Sequence, residues 1–572
     1  MTGHSVRSRL TGKLIMVFMI ALTMLLAACG GSPTQNPSGP KTTTLRVLSA
    51  PGQPNPDFFN PFYNTNQGGD FGAQGLLYEP LYFTNLYNGQ QQAWLAQSVE
   101  HNADLTQWTF HLRQNLKWSD GQAITSDDVV YTFELMKQYA GLDQSGVWGI
   151  LKDVKATDAS TIVFTTTAPN STGAFRIGNQ VYIVPKHDWS GKIGSDPTKF
   201  TNDKNLVTSG PYKLTSFNQD LITYDINNNY WGTKPEVKKI LVPSIKDNTT
   251  AITKMIQGEL DWMGTGWSPD LDQQFTQKDP AHNKTWFPAS NTVMLYLNLT
   301  KAPFNDLNVR KAISAAINRD NLPQGIAQYA KVANPTGVVI PNQNKWIKSD
   351  YQTAKFETAD KVDGYMAAAG FTKTGGIWTK AGQKLSMKVD VVNGWSDWDQ
   401  DVENIVSDLK KAGFDASVNS QSGYTPYYDA LSNGKYDAAI SWTNSGPDPY
   451  FTYEALLGSV HSAPAGKAVT GTNFMRWDAT TSKGFSAQTD KLIADYEKAS
   501  DEAGQMQAIQ GIEDIMVSQV PCIPLTVNVF WGEYTTKNWT GFPSADNPYD
   551  SSAPYNSPDF VNVIFHLKAA TN

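Results

Sequence analysis

Four carboxylates fall close together at Asp397, Asp399, Asp401 and Glu403, beside Trp395 and Trp398. A carboxylate pair next to aromatic platforms is the equipment of a glycoside hydrolase, one group acting as acid and the other as base or nucleophile. The same residues have a plainer use, because acids in the first turn of a helix complement its dipole. No other catalytic set accompanies them. There is no Gly-x-Ser-x-Gly elbow, no His-Glu-x-x-His zinc motif and no glycine-rich phosphate loop ending in Gly-Lys-Ser/Thr. Two cysteines, Cys29 and Cys522, and seven scattered histidines give no metal-ligand spacing. The sequence therefore calls for neither cofactor nor metal, and a binding role outweighs the hydrolase reading.

The elements around the acidic cluster are legible from hydrophobic period. Leu385, Met387, Val389 and Val391 alternate with polar residues, as in a strand with one covered face. Trp398, Val402, Ile405, Val406 and Leu409 follow helical spacing, and Ala412-Gly413 closes that helix. Phe414 to Val418 alternates again, so strand, helix and strand form a βαβ unit with a parallel sheet. A second helix carries Val309, Ala312, Ile313, Ala316 and Ile317 behind a cap at Asn308. A third is expected from about Thr489 to Ser518, with a break near Gly511. Further strands are expected at Trp108 to Leu112, Thr161 to Thr165, Leu221 to Ile226, Lys239 to Pro243, Met294 to Leu299 and Ala438 to Trp442. The alternation never reaches the eight units of a barrel enzyme. The result is a mixed α/β chain, too long for one core.

Composition narrows the partners. Net charge is −7 with no basic cluster in the body, which argues against nucleic acid. Aromatics are abundant, at 17 Trp, 24 Tyr and 25 Phe, more than cores alone require and suited to a wet cleft that holds ligand by flat faces. At the N-terminus Arg7, Arg9 and Lys13 precede an apolar run from Leu14 through Leu26. The run is shorter than the ~20 residues of a membrane span, and it ends in Leu26-Ala27-Ala28-Cys29. This reads as a secretory signal peptide over residues 1–28, and those four residues resemble a bacterial lipobox, with Cys29 acylated as the new N-terminus. Residues 29–43, rich in Gly, Ser, Pro, Thr and Asn, read as a flexible tether. With Cys29 carrying lipid, Cys522 has no partner and is expected to be an inert buried thiol.

A family resemblance begins at Trp108. Trp108-Thr109-Phe110-His111-Leu112-Arg113-Gln114-Asn115-Leu116-Lys117-Trp118-Ser119-Asp120-Gly121, then Thr125-Ser126-Asp127-Asp128-Val129-Val130-Tyr131-Thr132-Phe133, resembles the signature of family 5 solute-binding proteins, the oligopeptide- and dipeptide-type receptors of bacterial ABC importers. Ser209-Gly210-Pro211-Tyr212-Lys213-Leu214, Asn229-Tyr230-Trp231-Gly232, Gly258-Glu259-Leu260-Asp261 and Asn298 to Pro303 leading into Val309-Arg310-Lys311-Ala312-Ile313 follow in order. The resemblance implies an α/β, two-lobed periplasmic-binding-protein fold of the type with an additional domain, its ligand cleft between the lobes. Lobe I would take residues 44–84, 205–288 and 531–572, the additional domain 85–204, and lobe II 289–530. It also implies a monomer held at the outer face of the cell membrane by the N-terminal lipid, delivering ligand to permease subunits served by separate ATPase subunits.

The ligand class stays open between peptide and oligosaccharide. In peptide-binding members the strand matched by Ala438 to Trp442 is followed, three residues past its Trp, by an Asp that pairs with the peptide α-ammonium. This chain reads Trp442-Thr443-Asn444-Ser445-Gly446-Pro447-Asp448, with Ser445 at that position. A buried ammonium with no carboxylate is costly, so either Asp448 substitutes, or it is a turn residue and the ligand has no free amine. Members similar in Gly446-Pro447-x-Pro449-Tyr450, Asn547-Pro548-Tyr549 and Pro554-Tyr555-Asn556 bind β-linked glucans or xylans. Trp395 lies at the top of a parallel strand, where open α/β sheets hold ligands; Trp398 is either beside it in the site or in the helix core. The candidate ligand-binding residues are Asn60, Phe62, Trp262, Trp267, Trp395, Trp398, Trp442, Thr443, Asn444, Ser445 and Asp448.

Overall fold

The computed structural model describes residues 42–49, 58–62, 72–264, 271–324 and 331–571. The signal segment, Cys29, most of the tether and Trp267 lie outside the described residues. No described helix is long and apolar enough to cross a membrane.

Two larger sheets and a smaller one organise the described chain. The first has seven strands in the order Asn283–Thr285, Glu533–Thr535, Trp262–Met263, Thr44–Leu48, Lys239–Pro243, Leu221–Ile226 and Tyr212–Phe217. Its central strand Thr44–Leu48 runs parallel to both neighbours. A four-stranded antiparallel sheet is made by Ala96–His101, Gln107–Leu112, Thr161–Thr166 and Leu151–Ala156. The five-stranded sheet has the order Asp415–Gln421, Ser386–Val392, Ala438–Trp442, Ala289–Leu297 and Ile523–Val529.

Within that third sheet the expected βαβ unit is present. Ser386–Val392 pairs in parallel with Asp415–Gln421 and with Ala438–Trp442, and helix Ser396–Lys411 joins the first two. Its face of Trp398, Val402, Ile405, Val406 and Leu409 is buried, each such side chain contributing about 1.5–3 kcal/mol. Gly413 ends it at φ 98°, a left-handed conformation that costs glycine little, and Phe414 N–H returns to the Leu409 carbonyl at 2.9 Å.

Three expected boundaries move. The second helix spans Leu307–Ala316 and is capped by Asp306, whose carboxylate accepts from Asn308 N–H at 2.8 Å. The expected third helix is two helices, Phe485–Lys498 and Glu502–Gln519, and Asp501 caps the second. Gly511 lies inside it, where a Cβ would meet Leu492 Cδ2 at 2.7 Å, so the glycine serves close helix packing and not a break. The strand expected from Met294 starts at Ala289 and stops at Leu297, because Asn298 turns its amide to the Gly434 and Tyr436 carbonyls.

The signature blocks prove to be mutual supports. Asp128 accepts from Thr125 N–H, Lys186 N–H and the Trp118 indole, tying the helix Ser126–Gln138 to the turn before it. Ser119 exchanges bonds with Thr208, and its carbonyl accepts from Asn229. Asp261 receives the Arg46 guanidinium at 2.8 and 2.9 Å together with Asn538, locking two parallel strands in register. Buried Glu79 accepts from Trp94, Tyr230 and Trp231, each at 2.8 Å. Arg310 fixes the end of helix Glu502–Gln519 through the Gln519 and Val520 carbonyls. Cys522 is buried, and burial pushes its thiol well above the ordinary range.

Candidate functional site

The three parallel strands of the five-stranded sheet end at Val392, Gln421 and Trp442; Trp395 and Tyr424 follow the first two, and Trp442 closes the third. Gly394, at φ 89°, turns the first strand toward its helix. Its N–H donates to Asp399 at 2.9 Å while Asp399 N–H donates back to the Trp395 carbonyl at 2.8 Å. That pair of bonds fixes Trp395 at the strand top. Trp395 then lies 5.6 Å from Trp442 at an interplanar angle of 22°. Tyr424, from the start of helix Tyr424–Ser432, is 5.7 Å from Trp395 at 20° and 6.1 Å from Trp442 at 12°. Tyr428, one turn along, continues the series 5.6 Å from Tyr424. Three rings of near-parallel orientation, each only partly buried, form an aromatic platform of the offset-stacked kind.

Beneath it, Trp398 is 4% exposed and contacts Trp395 and Trp442 from the core side. Thr443 is buried too: its N–H donates to the Thr292 carbonyl at 3.0 Å and its hydroxyl accepts from Thr292 N–H. Asn444 is exposed. Ser445 reaches the Ser290 carbonyl at 3.4 Å.

Asp448 has a structural occupation. It caps helix Pro449–Leu457, one oxygen accepting from Tyr450 N–H at 2.9 Å and the other from the Tyr496 hydroxyl at 2.7 Å. Burial pushes its carboxyl up to about 6, against those bonds. Asp397, Asp399 and Asp401 of helix Ser396–Lys411 are likewise raised by burial, Asp397 to about 6, and Asp401 is further disfavoured as an anion by Asp397 one turn away. All three stand on one helix, whereas glycoside hydrolysis needs two carboxyl groups flanking the scissile bond.

Not all the candidates converge. Asn60 is fully buried and donates to the Phe200 carbonyl; Phe62 packs edge-on against Trp189. Trp262 is fully buried, its indole donating to the Ser552 carbonyl at 2.7 Å. Phe62 and Trp262 belong to the core of the other larger sheet. The structure thus brings together Trp395, Trp398, Trp442, Thr443, Asn444, Ser445 and Asp448, and leaves Asn60, Phe62 and Trp262 as packing residues apart from them. Sequence reasoning missed Tyr424 and Tyr428; the only available signal was their offset of four on one helix face.

Comparison with known proteins agrees with this frame. The model of bacterial extracellular solute-binding proteins, family 5, matches residues 90–464. The periplasmic oligopeptide-binding protein of Salmonella typhimurium is 25% identical over 507 residues, covering 83% of this chain and 86% of the relative. The solved oligopeptide-binding protein of Thermotoga maritima is 25% identical with a TM-score of 0.83, covering 92% of this chain and 99% of that one. A mannohexaose-bound structure from the same organism is 24% identical with a TM-score of 0.81, covering 94% and 100%.

Proposed function

We propose a receptor for neutral oligosaccharides: the chain belongs to the bacterial extracellular solute-binding proteins of family 5, substrate-binding components of ABC importers of the peptide-transport type, and its strand-end chemistry suits sugars. The carrying observation is the near-parallel Trp395, Tyr424 and Trp442 set beside a strand end where Ser445 stands and Asp448 is engaged on both oxygens. Sugar rings are held by flat aromatic faces and by hydroxyl and amide partners, and need no counter-charge. A structural neighbour that holds mannohexaose supports the capacity of this fold for such a ligand. A second reading, an oligopeptide, is favoured by the names of the relatives.

In this account the lobes divide as 44–84, 205–288 and 531–572 against 289–530, with 85–204 as the additional domain. That division is supported by the strands, since each of the three sheets draws its strands from one of these sets. The lobes close on ligand. The protein acts as a monomer, anchored through Cys29, and hands ligand to permease subunits driven by separate ATPase subunits. Mass spectrometry of small molecules released from the purified protein tests the ligand class: hexose or pentose oligomers support it, and peptides overturn it.

A further inference from the structure

The chain that follows the Trp442 strand end lines, through Gly446, Pro447 and Asp448, a cavity of about 310 Å³, at the small end of the roughly 300–1,000 Å³ typical of ligand pockets. One wall is Tyr87, Gln91 and Thr172, from the segment carrying the four-stranded sheet; the other is Asn342, Trp346 and Gln505, from the segment carrying the five-stranded sheet. Its floor runs through Ser290 and Gly446 to Asp448, so it continues from Ser445, which is bonded to the Ser290 carbonyl.

The polarity of the lining is specific. The two charged side chains are both answered by protein: Lys345 pairs with Glu502 at 2.8 Å, and Asp448 is held by Tyr496 and Tyr450. An ionic ligand would find no free counter-charge among them. What remains are uncharged groups with capacity to spare. Among the described residues no protein group engages the Gln91 or Gln505 side chains. Asn342 donates its amide to the Ala289 carbonyl at 3.0 Å and to the Tyr87 carbonyl of the facing wall at 3.5 Å, and keeps its oxygen. Ser290 also lines the cavity, and its Oγ is buried without a hydrogen-bond partner. Trp346, Tyr87 and Tyr496 add aromatic side chains to the lining.

We infer that this cavity is a second subsite, receiving a further neutral, hydroxyl-rich sugar unit of a ligand whose first units lie on the Trp395–Tyr424–Trp442 platform. The inference rests on the oligosaccharide reading above. Its two walls come from segments that carry different sheets, so a unit bound there also bridges them and adds to closure.

The test is calorimetric titration of the full chain with cello-, manno- and xylo-oligosaccharides from disaccharide to hexasaccharide, using the native protein and the cavity-filling variants Gln505→Trp and Gln91→Trp. The expected result is that affinity of the native protein steps up about ten-fold at the length that reaches the cavity, and that both variants lose this step while binding the shortest accepted sugar as before. Binding without a length step in the native protein, or an unchanged step in the variants, overturns the subsite and leaves the sugar reading standing. Equal loss at every length in the variants also overturns it, because the side chains would then serve the fold. Failure of every sugar series to bind the native protein removes the oligosaccharide reading and the subsite with it.

Discussion

The Arg176 guanidinium lies 3.3 Å from the Glu454 carboxylate, joining the helix that follows the four-stranded sheet to the helix that follows the Trp442 strand end. Around this pair Phe175 meets Phe451 at 4.5 Å, Ser171 donates to the Tyr496 carbonyl, and Tyr450 donates to Glu497 at 2.6 Å. The contact closes the side of the molecule next to the cavity.

Both partners are largely buried, but Glu454 keeps His461 at 2.8 Å, so Arg176→Met should cost less than the ~3–5 kcal/mol of a fully stranded buried charge. The double variant Arg176→Met with Glu454→Gln should recover part of that loss. Urea unfolding of the three proteins measures it; equal stability of Arg176→Met and the native protein would mean the pair contributes nothing.

Trp395 and Trp398 should separate cleanly. Trp398 is a core residue, so Trp398→Ala should destabilise the ligand-free protein by about 3–5 kcal/mol. Trp395→Ala removes three ring contacts worth about 0.5–1.5 kcal/mol each, and it should also weaken ligand affinity by at least about ten-fold. Its place at the top of a strand marked Trp395 only as a ligand candidate; its contacts with Trp398, Tyr424 and Trp442 add a measurable cost in stability. Unfolding curves beside titrations check both, and an unaltered affinity in Trp395→Ala would remove it from the site.

Asp448 gives a pH signature. Its folded carboxyl titrates at about 6, above its ordinary 3.8, so between those values the folded state binds the proton more readily than the unfolded chain. The group's contribution to stability is therefore greatest below about pH 4 and falls as pH rises through about 6. Asp448→Asn keeps an acceptor for Tyr450 N–H and loses the slope: relative to native it should gain stability at pH 7.5 and gain none at pH 4. Asp448→Ala should cost about 0.5–2 kcal/mol as a lost cap. Melting temperatures across that range decide, and a variant-to-native difference that is constant with pH would contradict the assignment.

Cys29→Ser should move the protein from the membrane to the soluble fraction with ligand affinity unchanged. Fractionating cells that express the variant is sufficient, and unchanged membrane retention would refute lipid anchoring.

Legibility tracked the range of the interaction. The Ser386–Val392 strand, its helix and its Gly413 stop were readable because period and capping are local. Ser445 and Asp448 stood out by their place in a motif, but the Tyr496 bond that occupies Asp448 comes from 48 residues away. Gly511 was misread because a glycine in a helix signals a break or a close neighbour equally well, and only Leu492 decides. Trp262 and Phe62 looked like ligand platforms since an aromatic residue carries no mark of which side of a sheet it packs on. Arg176 and Glu454, 278 residues apart, left no sequence trace.

The strand-end platform should take a neutral sugar chain without an ammonium anchor. Titrating the native protein with β-linked glucan, mannan and xylan oligosaccharides, and with peptides bearing free and acetylated N-termini, tests it most directly. The expected result is binding of at least one sugar series and no discrimination between the two peptide forms. Tight binding of free-amine peptides, lost on acetylation and accompanied by no sugar binding, would contradict it.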